Sequence, residues 1–390
     1  MTINIKNANI VLPNEVLESS SVTIVDGKID KIDSNSDTGT VIDAKGAYLL
    51  PGMIDIHSDH IEQAIEPRHG SLMETEFALR EQEKQLINNG ITTMYHSLSM
   101  WRPVISAMGR KTLREGNRLE QVIREIIAAA KAPRLITHKV HIRYDITNIA
   151  ALEPLMGILK EGDISLLSFM DHTPGQGQYR NVEKARATIK AFNPNLSDDE
   201  IEKQFQERMN VEKIANAKLA EIADFAISKG ISVASHDDDT IDKVNFVRNE
   251  LKATISEFPV ELEVARYATK VGMATLGGAA NVLMGKSHSG NLSAIEGILD
   301  GSISMLCSDY YPPAMLRAVF KLHREFNMPL NECAKLVTST PAKAVGIDNE
   351  VGSIEVGKKA DLILVDASGQ YTNIMNVITN GKVTAALNYS

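Results

Sequence analysis

Short runs of alternating hydrophobic and polar residues open and close this chain, while longer mixed segments fill its middle. In the first fifty residues NANIVL, SSVTIVDGKIDKID and VIDAKGAYLL are β-rich and separated by turn residues. The last fifty repeat the style in VGSIEVGKKADLILVD and NVITNGKVTAAL. Two terminal sets of strands, far apart in sequence, predict one small β-sandwich beside a central domain. Between them, strand-like runs alternate with helix-like ones, the signature of βα units around a parallel sheet. Eight strands are predicted: GMIDIH, ITTMYHSLS, RLITHKVHIRYDI, ISLLSFMDH, ISVASHD, FPVEL, GMATLG and SISMLCSD. Helices fill the gaps, as in ETEFALREQEKQLINNG, which ends on Gly90. The expected fold is a (β/α)8 TIM-type barrel, residues 51–344, with a β-sandwich from residues 1–50 and 345–390. Residues 181–230 form a helical insertion read as two helices, the second opened by the capping pattern Ser197-Asp198-Asp199-Glu200.

Composition narrows the class. At 390 residues, 43% hydrophobic and 23% charged, the chain has the make-up of a globular protein. Its net charge of −9 disfavours nucleic-acid binding, yet a few converging cations can still make one pocket positive. The start MTINIKNANIVLPNEV reads as strand and turn rather than a signal peptide, and no apolar run approaches the roughly 18 residues of a membrane span. Only Cys307 and Cys333 are present, both read as packing residues, which fits a reducing, cytoplasmic location.

The histidines carry the chemistry. His57, His141, His172 and His236 each fall at or near the end of a predicted strand, and Asp309 ends the last one. In a barrel those ends meet on one face. A single strand-end histidine is usually structural; four on separate strands, joined by carboxylates, are not. Residues two apart on a strand point the same way, so His57 and Asp59 share a face, as do Lys139, His141, Arg143 and Asp145. Imidazoles and carboxylates of this kind hold one or two divalent ions, zinc being the expected one, with a position left for water. His57, Asp59, His141, His172 and His236 are the expected ligands, with Asp145 in reserve. His138 is read as packing or surface. The run Asp237-Asp238-Asp239 is read as a solvated helix start. Asp309 and His288 are the further candidates for catalytic chemistry on that face. Arg68, Arg143, Arg180 and the loop Gly285–Asn291, with Lys286, Ser287, Ser289 and Asn291 as its donors, are expected to hold an anionic, phosphorylated small molecule. A homo-oligomer is compatible with the sequence.

GMIDIHSDHIEQAIEPR, SFMDHTPGQGQ, ASHDDDT, GKSHSGN and LCSDYYPPAML, in this order along nearly the whole barrel, resemble one branch of the amidohydrolase superfamily. That branch comprises the ribose 5-triphosphate diphosphatases of the carbon–phosphorus lyase pathway. GSIEVGK with ADL is similar to the closing strand pair of the superfamily's sandwich. The resemblance implies a metal-dependent hydrolase cleaving α-D-ribose 1-methylphosphonate 5-triphosphate to the 5-phosphate and diphosphate. It also implies that Asp309 takes the proton from water, and it offers a carboxylated Lys139 as an alternative ligand to the preferred His141. Gly177 stands where the branch has Arg, with Arg180 three residues on, and His96 stands where a carboxylate is expected. Two other readings are a cyclic-amide hydrolase or deaminase, which needs fewer cations, and a non-catalytic scaffold, which would have lost ligands.

Overall fold

The structure is a computed structural model that describes residues 1–34, 39–101, 113, 117–192, 194–285, 287 and 290–389. The alternating runs at the chain start become β1 (Thr2–Val11), β2 (Val16–Val25), β3 (Lys28–Ile32), β4 (Thr40–Asp43) and β5 (Tyr48–Pro51). Eight more strands follow: β6 (Met53–Ser58), β7 (Ile91–Met100), β8 (Thr137–Asp145), β9 (Leu166–Met170), β10 (Ser232–His236), β11 (Ile255–Glu257), β12 (Ala274–Gly278) and β13 (Met305–Cys307). The chain ends with β14 (Leu362–Asp366), β15 (Asn373–Thr379) and β16 (Lys382–Ala386).

Strands β6 to β13 lie side by side in sequence order and all parallel, the arrangement expected from alternating βα units. The seam between β13 and β6 carries one bridge, Ser58 to Asp309, with Asp309 N–H donating to His57 O at 3.0 Å and Asp59 N–H to Asp309 O at 3.0 Å. Asp55 reinforces the seam: its Oδ1 accepts from Ser308 N–H (3.1 Å) and His57 N–H (3.3 Å). The lower barrel is filled by Ile54, Tyr95, Leu166, Ile255, Leu276 and Met305 among others. The histidines that matter for chemistry sit above it, at or near the C-terminal ends of the strands.

Both chain ends join one mostly antiparallel sheet, in the order β16-β15-β14-β5-β1-β2-β3 with β4 beside β1. Alternation explains its double burial. Leu362 and Leu364 face a core within the sheet's own curl, while Ile363 and Val365 face the barrel helices. The GSIEVGKKAD segment forms turns and a single bridge, Lys28 to Lys359, instead of a strand pair; Ile354 from it plugs the curl.

Two other expectations need correction. The sixth barrel strand is Ile255–Glu257 and not FPVEL, because Phe258 takes a left-handed backbone (φ 55°) that ends the strand before that phrase begins. The 181–230 insertion holds three helices, Val182–Phe192, Asp198–Met209 and Asn216–Ser228. Ser197 and Glu200 do form the reciprocal capping box. The helical spacing after Glu200 is interrupted where Asn210 ends its helix and Ile214 N–H bonds to Ile146 O, docking the chain beside β8. Among the described residues no helix is long and apolar enough to cross a membrane.

Gly52 joins the terminal sheet to the barrel, its N–H donating to Asp361 O at 2.8 Å. A Cβ there would lie 2.2 Å from Thr92 Oγ1 and 2.4 Å from its Cγ2. Thr92 is buried and β-branched, so it cannot swing away. Gly52→Ala therefore destabilises by about 1–3 kcal/mol, read as a lower unfolding midpoint, and because the Thr92 Cβ would itself lie at 2.8 Å, Thr92→Ala in the same chain relieves only part of it.

Candidate active site

The upper barrel gathers eight side chains from six strands. His57 is the penultimate residue of β6 with Asp59 just beyond the strand, His141 and Arg143 stand on β8, and His172 follows β9. His236 ends β10, Glu257 ends β11, and Asp309 lies beyond β13. Ring centroids are 5.2 Å apart for His57–His141, 5.4 Å for His57–His236 and 5.6 Å for His172–His236. The ligand-type atoms fall into two groups, His57/His141/Glu257 and His172/His236/Asp237, those within each lying within 4.8 Å of one another.

In the first group Glu257 Oε1 is 2.9 Å from His57 Nδ1 and 3.8 Å from His141 Nε2. The His57 contact places that ring's proton on Nδ1 and turns the Nε2 lone pair inward. His141 is held by Ser97 Oγ at Nδ1 (3.0 Å) and Ser168 Oγ at Nε2 (2.8 Å). In the second group Asp237 Oδ2 lies 3.0 Å from His236 Nδ1 and 3.4 Å from His172 Nε2. Trp101 stacks on His172 with ring centroids 4.3 Å apart, fixing its plane. Asp237 and Asp309 both take left-handed backbone, φ 53° and 59°. Aspartate tolerates that region better than most residues, and the turn bends each chain sharply as it leaves the barrel.

Burial sets the charge states. It holds His57 well below the ordinary histidine range, brings His141 down to about 3 and His236 down to about 4, so these rings stay neutral with lone pairs available. For Asp237 burial pushes upward, but the neighbouring His236 and His172 prevail and hold the carboxyl well below its usual range. Asp309 goes the other way: burial, then the charge of Asp59, raises it to about 7. Asp55, buried beneath, is raised by burial to about 6.

The donor set fits divalent cations. His57 Nε2, Glu257 Oε2, His172 Nε2, His236 Nδ1 and Asp237 Oδ2 are all buried without a well-formed hydrogen bond. Buried polar atoms left this way are costly, and here they converge in two clusters of imidazole nitrogen and carboxylate oxygen.

A cavity of about 220 Å³ opens beside this constellation, lined by Trp101, Arg143, His236, Phe258, Met284 and Asp309, with Asp59, Ser287 and Asn291 also on its wall. The sequence-based expectations are distributed unevenly around it. His57, Asp59, His141, His172, His236, Asp309 and Arg143 come together as described. Arg180 sits on the rim, paired with Glu261, beside an adjoining cavity that Asn291 also lines. Arg68 is exposed in the turn it closes with Ser71 and is not among the cavity's lining residues. Lys286, His288 and Ser289 lie outside the described residues. Asp145 is occupied by its own turn, accepting from Thr147 N–H and Oγ1. Lys139, near the start of β8, lies near Glu350 rather than with His141. His138 faces outward and packs against His96 (2.8 Å) and Glu83 (3.1 Å).

Asp237-Asp238-Asp239 is not solvated. Asp238 accepts from Ser235 and Ser256, and Asp239 from Gly177 N–H at 2.7 Å. That last bond explains Gly177: at φ 52°, with a built Cβ 3.0 Å from Asp237 Cβ, the position has no room for a longer side chain. Sequence reasoning missed Glu257 and Asp237. The alternation in Thr254-Ile255-Ser256-Glu257 signals a strand ending in a carboxylate, but the more apolar FPVEL beside it masks that signal.

The amidohydrolase family model matches residues 182–386. Over 389 residues the chain is 31% identical to the α-D-ribose 1-methylphosphonate 5-triphosphate diphosphatase of Escherichia coli (strain K12), covering 97% of this chain and 99% of that protein. The chain belongs to the amidohydrolase family. It is a hydrolase of that superfamily, whose members usually bind divalent metals. It is also 23% identical to the 5'-deoxyadenosine deaminase of Methanobrevibacter smithii, over 99% of this chain and 87% of that one. Among solved structures, the N-acetylglucosamine-6-phosphate deacetylase from Pasteurella multocida superposes with a TM-score of 0.65 at 14% identity, over 99% of this chain and 100% of that chain. That likeness concerns the fold.

Proposed function

We propose that this hydrolase cleaves α-D-ribose 1-methylphosphonate 5-triphosphate, or a close ribose 5-triphosphate, to the 5-phosphate and diphosphate. The observation that carries the reading is Arg143, a guanidinium buried within the ring of histidines and carboxylates and lining the cavity. A neutral cyclic amide offers a carbonyl acceptor but no negative charge to pair with a buried cation, whereas a phosphate offers both. The relative with 31% identity, named for this activity, supports the same choice.

His57, Asp59, His141 and Glu257 would hold one divalent ion, and His172, His236 and Asp237 a second; zinc suits such nitrogen and oxygen donors. When bound, the ions supply Lewis-acid activation of water and of a phosphoryl oxygen. Arg143, with Asn291 and Ser287 of the same cavity, would grip the phosphates, and Arg180 would meet the outer ones at the rim. Asp309, raised to about 7 and so ionised above that pH, would in its ionised form accept the proton as water attacks the α-phosphorus and the bond to diphosphate breaks. Cytoplasmic operation and a small phosphorylated substrate follow from the same reading.

A second reading, deaminase or cyclic-amide hydrolase, is favoured by the aromatic wall. Phe258 stands edge-on to His57 at 5.0 Å and beside His236 at 5.3 Å, a surface suited to a flat ring. The deaminase relative points the same way. A substrate screen of metal-loaded protein separates the two. Sugar triphosphates should release diphosphate while cyclic amides and aminopurine nucleosides remain intact. In water labelled with heavy oxygen the label should enter the ribose 5-phosphate product; label in diphosphate would mean attack at the β-phosphorus. Ring opening or ammonia release without diphosphate would establish the second reading instead.

A further inference from the structure

We propose that Arg143 is a metal-gated anion anchor: a cation taken up by His236 releases the guanidinium into the cavity, where it binds phosphate oxygens. The inference deepens the triphosphate reading and depends on it only for the identity of the natural anion.

Arg143 Nη2 lies 3.0 Å from His236 Nε2. A guanidinium can only donate, so Nε2 accepts, and the neutral ring carries its single proton on Nδ1. That nitrogen faces Asp237 Oδ2 at 3.0 Å and belongs to the His172/His236/Asp237 cluster. Coordination at Nδ1 needs the lone pair there, which moves the ring proton to Nε2 and sets one donor against another. Coordination at Nε2 removes the acceptor outright. Either way, unless the ring becomes imidazolate, His236 cannot serve a cation and Arg143 together.

The released guanidinium has one evident direction to go. Arg143 lines the cavity together with Asn291, and its Nε is already buried without a hydrogen-bond partner. Losing His236 would leave more N–H groups unsatisfied in a buried place, at a cost an oxyanion removes by accepting from them. A freed guanidinium also repels the incoming cations until an anion lies between them. Metal and anion should therefore bind cooperatively, and the coupling is reciprocal.

Two measurements on the full chain test this, with zinc and inorganic diphosphate as probes. In protein labelled with ¹⁵N-histidine, His236 Nε2 should read as an unprotonated acceptor in chelator-treated wild type and as a protonated nitrogen or a direct ligand after zinc. An Nε2 that still accepts, with bound zinc verified by dialysis, overturns the proposal without any variant. The second measurement is a cycle of diphosphate affinities. Arg143→Met should weaken diphosphate binding less than about twofold without zinc and about tenfold or more with zinc saturating, as expected for a charge-assisted hydrogen bond made only in that state. Equal losses in both conditions, or no diphosphate binding with zinc present, refute it. Because neither measurement involves turnover, a protein that failed to hydrolyse triphosphates would still pass or fail here on its own.

Discussion

Asp309→Asn lowers kcat/KM by about 10²–10⁴-fold, the usual contribution of a positioned general base, while folding and metal content stay near those of the parent chain. The substitution removes one proton acceptor and almost no volume, and the backbone bonds from Asp309 N–H to His57 O and from Asp59 N–H to Asp309 O do not involve its side chain. A near-normal rate in metal-replete Asp309→Asn would move the base role to another residue.

The same variant reports on the raised carboxyl without any turnover. Burial raises Asp309 from its ordinary value of 3.8 to about 7 in the fold. The folded chain therefore keeps a proton that the unfolded chain has lost throughout that window, so stability from this residue is full below 3.8 and falls as pH rises to 7. Asparagine stays neutral at every pH. In chelator-treated protein the Asn variant should gain on wild type by on the order of 2 kcal/mol between pH 5 and 7, and level off above. A constant difference in unfolding midpoint across that range would show that Asp309 does not titrate there. The histidines also titrate in this region with the opposite sign, but they are common to both chains and cancel in the comparison.

Glu257→Gln separates two jobs that one carboxylate performs. Its Oε1 orients His57 through Nδ1, while its Oε2 is buried toward the cluster without a hydrogen bond. An amide oxygen can still accept from His57, so the ring keeps its orientation, but the negative charge and the second acceptor are gone. Metal affinity should fall about 10- to 100-fold or more, measured by competition with a chromophoric chelator, with little change in fold. Glu257→Leu should lose the metal and also His57's partner, leaving a buried imidazole N–H unsatisfied at about 1–3 kcal/mol. Full metal affinity in Glu257→Gln would reduce Glu257 to a positioning role for His57.

How far the sequence could be read depended on which physical signal each feature used. Strand and helix alternation is local, set by side-chain period and turn residues, so eight βα repeats and two β-rich ends were legible without any contacts. Histidines at strand ends were legible for the same reason: a parallel barrel sends every strand's C-terminal end to one face. His57, His141, His172 and His236 could thus be named from sequence, and the structure brings them together. The family resemblance was likewise carried by short ordered phrases and agrees with the chain's relatives.

Features that depend on packing direction were not legible. A three-residue strand carries too little pattern to compete with the apolar FPVEL beside it, so Glu257 stayed hidden until β10 and β12 aligned it. Three consecutive aspartates look solvated in one dimension, yet left-handed backbone at Asp237 sends one toward His172 and His236 and leaves the next two to tie neighbouring loops. Arg68, Arg143 and Arg180 were equivalent as charges. Only the fold distinguishes an arginine on an inward-facing position of β8 from one paired at the rim and one in an exposed turn. Local periodicity determined what elements this protein has and which ends carry its chemistry. Which side chains meet, and which nitrogen of each ring faces which partner, was decided by long-range packing that no short stretch of sequence encodes.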